Sequence, residues 1–127
     1  MARPKEENYI KQTEAIAVGC GKSGLLEMLT RPWTLHILWL LSHNGPMRFG
    51  ALRRSAEGIS ARLLTVRLRT LEERGFVDRS VRHTNPPEVT YIPTSRLKDM
   101  EGFMQQLHHL SDKWSAEDKM KHEAKAA

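Results

Sequence analysis

The chain has 127 residues, of which 39% are hydrophobic and 28% charged, and this fits one soluble globular domain. Its formal net charge of +5 favours an anionic partner. The single cysteine excludes an internal disulfide framework, no apolar segment follows the first residues as a secretory signal requires, and no apolar run is long enough to span a bilayer, so we expect a cytoplasmic protein.

Two helices are predicted before residue 46. The first covers residues 20–30, and Thr30 is the expected N-cap of the second. The second runs from residue 33 to 41 and has a wide apolar face suited to the centre of a core. Gly45 and Pro46 end it. Residues 47–49 are either a short strand beside a hairpin or an extended lead into the next helix, and the sequence leaves both open.

Residues 60–74 have the pattern of an amphipathic helix with Ser60 as its N-cap and Gly75 as its stop. Three leucines at 64, 68 and 71 cluster on one side. Two strand-like segments follow, residues 76–82 and 88–92, separated by a tip with two prolines. The order helix, turn, helix, hairpin predicts a mainly α winged helix-turn-helix domain with a small β-hairpin wing.

Between Pro46 and Arg82 there are nine arginines against four acidic residues, a surplus of five, so this window alone accounts for the net charge. Arginine favours bidentate contacts to phosphates and guanine edges. The expected partner is therefore double-stranded DNA. The recognition-helix contacts predicted are Ser60, Arg62, Thr65, Val66 and Arg69. The backbone and wing contacts predicted are Arg48, Arg53, Arg54, Arg67, Arg79, Arg82, His83 and Asn85. The alternative for the tip is a plain hairpin turn that does not touch DNA.

A further helix is predicted from Ser95, with apolar residues every three or four positions. We interpret it as half of a homodimer interface, joined by the N-terminal segment; the alternative is an ordinary core helix. The interface residues predicted are Ile10, Leu97, Met100, Met104, Leu107 and Trp114. The expected division is an N-terminal extension over 1–19, the winged domain over 20–94, the dimerisation helix over 95–114 and a polar, disordered tail over 115–127.

Catalytic and metal-binding patterns are not found. The six histidines form no His-x-x-x-His pair with an acidic residue, and no cysteine and histidine set has zinc spacing. No glycine-rich phosphate loop or nucleophile elbow is present. We therefore expect no enzyme activity, no metal and no cofactor.

Cys20 is a candidate redox sensor because Lys22 is near, and a neighbouring cation makes a thiol more reactive. The alternative is a small buried hydrophobic residue.

Taken in order, several segments resemble the HxlR-type winged-helix regulators, relatives of the MarR-like proteins. They run from the cysteine ahead of Pro32-Trp33-Thr34, through Gly45–Phe49 and Gly58-Ile59-Ser60, to Leu68–Arg79 and Pro86–Tyr91. The chain departs from the family pattern at Gly21, where proline is common, and at Arg31-Pro32, where Gly-Lys is frequent. The resemblance implies a dimeric, bacterial DNA-binding transcription regulator, in some members responsive to oxidants through the early cysteine.

Two hypotheses for function follow. The first is a homodimeric regulator on an inverted-repeat operator, responsive to redox state or to a small-molecule effector held in an apolar pocket between the dimerisation helices and the DNA-binding lobe. The second is a winged-helix module whose arginine-rich face binds an acidic protein. A sequence-specific footprint with steep salt dependence separates the first from the second.

Overall fold

The computed structural model describes residues 24–126, and its elements follow the predicted order. The helices are α1 (Leu25–Thr30), α2 (Thr34–Asn44), α3 (Phe49–Ser55), α4 (Ala61–Glu73), α5 (Ser95–Lys98) and α6 (Glu101–Ala126). The strands are β1 (Met47–Arg48), β2 (Val77–Arg82) and β3 (Glu88–Pro93). A mainly α winged helix-turn-helix fold is confirmed. Cys20 and Ile10 lie outside the described residues.

The core is built around α2, as its apolar face predicts. Ile37, Leu38 and Leu41 have no exposed surface, and they belong to one buried cluster with Leu52 of α3 and Leu68 of α4. Burying a side chain of this size stabilises the fold by about 1.5–3 kcal/mol. The cluster therefore fixes how the two helices of the helix-turn-helix are oriented on the rest of the domain.

The start of α2 differs from the prediction. Thr30 does not cap this helix, because its hydroxyl donates to the Glu27 carbonyl oxygen of α1 at 3.1 Å. The N-cap position is held by Trp33, whose φ of 74° is in the left-handed region. Trp33 is half-buried against the core cluster, so the start of α2 depends on packing rather than on a local polar cap.

The segment 47–49, left open by the sequence, is divided between a strand and a helix. Met47 and Arg48 form β1, which pairs antiparallel with β3 opposite Tyr91 and Thr90, while Phe49 begins α3. The sheet order is β1-β3-β2. The wing is therefore hydrogen-bonded to β1, the strand that leads directly into the first helix of the helix-turn-helix, and it also follows the second helix in the chain.

The predicted C-terminal helix is interrupted, and its first half is core. α5 ends at Lys98 before α6 begins at Glu101. Leu97, Met100 and Met104 are 1%, 9% and 3% exposed in the single chain, so their assignment to a subunit interface is wrong. The pattern correctly marked a buried side, but α5 and the start of α6 fold back on the domain and bury it there. Leu107 and Trp114 are exposed.

The prediction of a disordered tail over 115–127 is wrong for the residues that the structure describes. α6 continues without a break to Ala126, and every residue after Leu110 is exposed. Alanine, glutamate and lysine dominate this stretch, and all three have high helix propensity. The polar composition of residues 115–127 was therefore not enough to distinguish a solvent-exposed helix from a disordered segment. None of the helices from Leu25 onward is both long and apolar enough to cross a membrane.

Candidate nucleic-acid interface

Helix α4 has one buried side and one exposed side. Leu64, Leu68 and Leu71 are fully buried, as predicted. Arg62, Val66 and Arg69 are exposed on the other side, and we name these three side chains the recognition face. Since the leucines are held in the core, the recognition face points away from the domain in a fixed direction. Two guanidinium groups and one apolar side chain are thus presented together.

Both ends of α4 are fixed by the chemistry that the sequence predicts. The Ser60 Oγ accepts a hydrogen bond from the Leu63 backbone N–H at 3.1 Å, which confirms it as the N-cap. At the other end Gly75 has a φ of 80°. The Gly75 N–H donates to the Glu72 carbonyl and the Phe76 N–H to the Leu71 carbonyl, the paired bonds of a Schellman ending.

Two residues that the sequence reasoning missed tie the end of α4 to α5. The Thr94 hydroxyl donates to the Gly75 carbonyl oxygen at 2.6 Å, and Arg96 Nη1 donates to the Arg74 carbonyl oxygen at 2.7 Å. The Arg96 guanidinium also lies 5.8 Å from the centre of the Phe76 ring. No local pattern signals these contacts, because the partners are about twenty residues apart in sequence.

Two predicted contacts have partners within the protein. The Thr65 side chain is half-buried, and its hydroxyl donates to the Ala61 carbonyl oxygen at 2.8 Å. Arg67 is also half-buried, and its Nε donates to the Pro32 carbonyl oxygen at 2.8 Å. Arg67 therefore connects α4 to the α1–α2 turn, and we assign it a positioning role. Neither residue belongs to the recognition face.

A groove of about 660 Å³ separates the wing from α4. Arg79 lies opposite Tyr91 in the β2–β3 ladder, and directly paired residues share one face of a sheet. Tyr91 is buried, so Arg79 is on the side of the wing that faces the helices, and it lines the groove together with Thr65 and Phe49. The groove thus places a third arginine beside the recognition helix.

By register Arg48 and Arg82 belong to the other face of the sheet, although Arg48 and Glu88 also line the edge of the groove. Glu88 Oε2 is 3.0 Å from Arg48 Nη2 and 3.9 Å from Arg82 Nη1, and we name these three residues the outer wing triad. Sequence reasoning missed Glu88, although the five-residue tip already implied that residue 88 pairs with residue 82. The two arginines remain exposed, so the carboxylate lowers their local charge without burying them.

The remaining predicted DNA contacts are exposed at the edges of this surface. Arg53 and Arg54 are in the last turn of α3 and line a hollow with Gly58 in the turn before α4. His83 and Asn85 are exposed at the wing tip. The structure therefore places Arg48 and Arg79 in one groove with Thr65 of the recognition helix, and Arg53 and Arg54 beside the turn before that helix. Within residues 24–126, no cluster of three histidine, cysteine or acidic side chains is placed to hold a metal ion.

Comparison of the sequence with known protein families identifies the family of this domain. Residues 28–119 match the HxlR-like helix-turn-helix family. The chain belongs to this family. The HTH-type transcriptional regulator sll1512 of Synechocystis is 30% identical over 113 residues, covering 84% of this chain and 83% of the relative.

Two solved structures extend the likeness to three dimensions. The HTH-type regulator YtcD has a TM-score of 0.67 and 31% identity, covering 72% of this chain and 92% of that one. The redox regulator HypR in its reduced form has a TM-score of 0.63 and 30% identity, covering 76% and 92%. The chain is thus a helix-turn-helix transcriptional regulator by family, and the relatives are named as regulators rather than as enzymes.

Proposed function

We propose that the protein is a homodimeric regulator that binds an inverted-repeat operator, with α4 of each subunit in the major groove. The observation that carries the proposal is the recognition face. A helix held in the core by Leu64, Leu68 and Leu71 presents Arg62, Val66 and Arg69 outward, and its exposed acidic residues, Glu72 and Glu73, are confined to its last turn. Arginine forks suit guanine edges and phosphates, whereas an acidic side chain there would be repelled by DNA.

In this proposal the wing lies along the flanking backbone or minor groove. Arg79 in the groove, His83 and Asn85 at the tip, and the arginines of the outer wing triad supply its polar contacts. Contacts of this kind set the register of a protein on DNA and carry little sequence information. Arg53 and Arg54, in the last turn of α3 beside the turn before α4, serve the same purpose.

A second copy of this chain is the partner we propose for α6. Phe103, Leu107 and Trp114 are 52%, 46% and 54% exposed and recur at helical spacing, and we name them the apolar stripe of α6. A helix of 26 residues is about 39 Å long, and its second half has no packing partner in the single chain. The fully exposed part of roughly 16 residues is close to the length below which an isolated helix is marginal in water, so a symmetric partner that covers the stripe would add to its stability.

The signal we propose is thiol oxidation at Cys20, in line with the description of HypR as a redox regulator. A small-molecule effector is the weaker alternative. The cleft between α2, β3 and the C-terminal helices has a volume of about 280 Å³. Ligand pockets usually occupy about 300–1,000 Å³, so this cleft is at or below the lower limit.

The test is selection of genomic DNA fragments by the purified protein at near-physiological salt, run with reduced and with peroxide-treated protein. We expect an inverted repeat with half-sites about one helical turn apart, since a dimer presents two recognition helices at that spacing. The Cys20→Ser variant is the control, and it should select the same DNA under both conditions. Equal selection by reduced and oxidised wild type would refute the redox signal while leaving the operator in place.

A different result would support the protein-interaction alternative. If only salt-sensitive binding without sequence enrichment is found, the arginine-rich surface is a general polyanion site and the operator proposal fails.

A further inference from the structure

Val66 is an exposed apolar side chain at the centre of a cationic surface. It is 43% exposed, with Arg62 one turn before it and Arg69 one turn after it on the same side of α4. Valine has a lower helix propensity than alanine, and its β-branched side chain is restricted to one main rotamer in a helix. Local helix stability therefore gives no reason for valine here, while rigidity makes it a well-defined contact.

The hydroxyl groups around Val66 are already used within the helix. The Thr65 hydroxyl donates to the Ala61 carbonyl oxygen at 2.8 Å, and the Thr70 hydroxyl donates to the Val66 carbonyl oxygen at 3.2 Å. Since both hydroxyl protons are donated within the helix, neither threonine is poised to donate a hydrogen bond to a base beside Val66. The middle of the recognition face thus presents methyl groups between two guanidinium groups.

Only one base offers an apolar group in the major groove, and that is thymine through its C5-methyl. We propose that Val66 packs on the C5-methyl group of a thymine in each half-site and so specifies thymine at that position. This inference rests on the proposed function, in which α4 lies in the major groove. Arg62 is about 6 Å from Val66 along the helix axis, or roughly two base-pair steps, so the thymine is expected within about two base pairs of a guanine read by Arg62.

The experiment replaces thymine by deoxyuridine, which removes the methyl group and leaves Watson–Crick pairing unchanged. Starting from the sequence selected by the wild-type protein, each thymine is replaced in turn, symmetrically in both half-sites, and Kd is measured by fluorescence anisotropy. One symmetric position should weaken wild-type binding by up to roughly fifteenfold, as expected for two fully buried contacts of one methyl group each.

The Val66→Ala variant, measured on the thymine and deoxyuridine operators, completes a double-mutant cycle between the side chain and the methyl group. It should bind the thymine operator more weakly than the wild type and lose most of its sensitivity to deoxyuridine at that position. Val66 is exposed, so alanine leaves the core intact. Met120→Ala, which removes a side chain 70% exposed near the end of α6, is the matched control and should keep the full wild-type sensitivity.

The outcomes separate this inference from the proposed function. Selective operator binding with no thymine whose methyl group matters, or with sensitivity retained in Val66→Ala, overturns the role of Val66 and leaves the operator proposal standing. Failure of the wild type to select any sequence overturns both.

Discussion

Arg62 and Arg69 are the two residues of the recognition face that can read guanine. We expect Arg62→Ala and Arg69→Ala each to weaken operator binding by about 1–3 kcal/mol, because a bidentate pair with a base edge is lost. The loss on unrelated DNA should be smaller, since one charge among many is removed. The measurement is Kd for operator and for scrambled DNA at one fixed salt concentration.

Arg62→Lys sharpens this prediction because lysine keeps the charge and loses the fork. If Arg62 reads a base, the lysine variant should keep most non-specific affinity and lose discrimination. Lys119→Ala, on the exposed end of α6, controls for the removal of a single positive charge. Equal losses by the alanine variants on operator and scrambled DNA would instead make these arginines phosphate contacts.

The outer wing triad gives the wing a charge balance that the sequence does not make obvious. Both arginines are more than half exposed, so their pairs with Glu88 contribute little stability, about 0.2–1 kcal/mol each. We expect Glu88→Gln to tighten DNA binding by roughly twofold to tenfold and to steepen its dependence on salt, because Arg48 and Arg82 lose an intramolecular competitor for phosphate.

The comparison for this prediction is Glu123→Gln, which makes the same change of charge on α6, away from the wing. It should leave the salt dependence close to that of the wild type. Weaker binding by Glu88→Gln would show that the carboxylate is needed to hold the wing in place, and that its competition with DNA is the smaller effect.

The sequence predicted some elements better than others. Features set by interactions between neighbouring residues were predicted, and features set by contacts between distant parts of the chain were not. α4 was predicted with both ends because a serine cap and a glycine stop act over a few residues. The start of α2 was not predicted correctly, because the left-handed conformation of Trp33 depends on packing around the α1–α2 turn. The β1 pairing needed the register of β3, which a two-residue segment cannot specify.

The candidate site shows the same limit. The exposed side of α4 could be predicted from helical period alone, and the structure places Arg62, Val66 and Arg69 there together. The internal hydrogen bonds of Thr65 and Arg67 could not be predicted in this way. Helical periodicity does not identify the hydrogen-bond partner of a half-buried polar side chain. Periodicity on the C-terminal helices likewise marked an apolar side without saying whether the domain or a second subunit covers it.

For the whole molecule, α6 has two parts with different surroundings. Near its start Met104 is buried in the core, and beyond Leu110 all its described side chains are exposed. A truncation at Ser95 would therefore remove Leu97, Met100 and Met104 and damage the domain itself, so loss of dimers after that cut would not identify the interface. Substitutions on the apolar stripe of α6 test the interface without touching the core.

We expect the double variant Leu107→Asp, Trp114→Asp to be a folded monomer, because two carboxylates would be buried without partners at a symmetric interface. Ala116→Asp is the matched control: it lies about 200° around the helix from Trp114, on the side away from the stripe, and should remain dimeric. Sedimentation equilibrium gives the mass of each variant, and circular dichroism checks that the domain stays folded.

The monomer should also lose most of its affinity for the full inverted repeat, since the second recognition helix contributes only when it is linked to the first. It should bind a single half-site as weakly as the wild type does. A double variant that keeps the mass of a dimer would show that the subunits meet elsewhere.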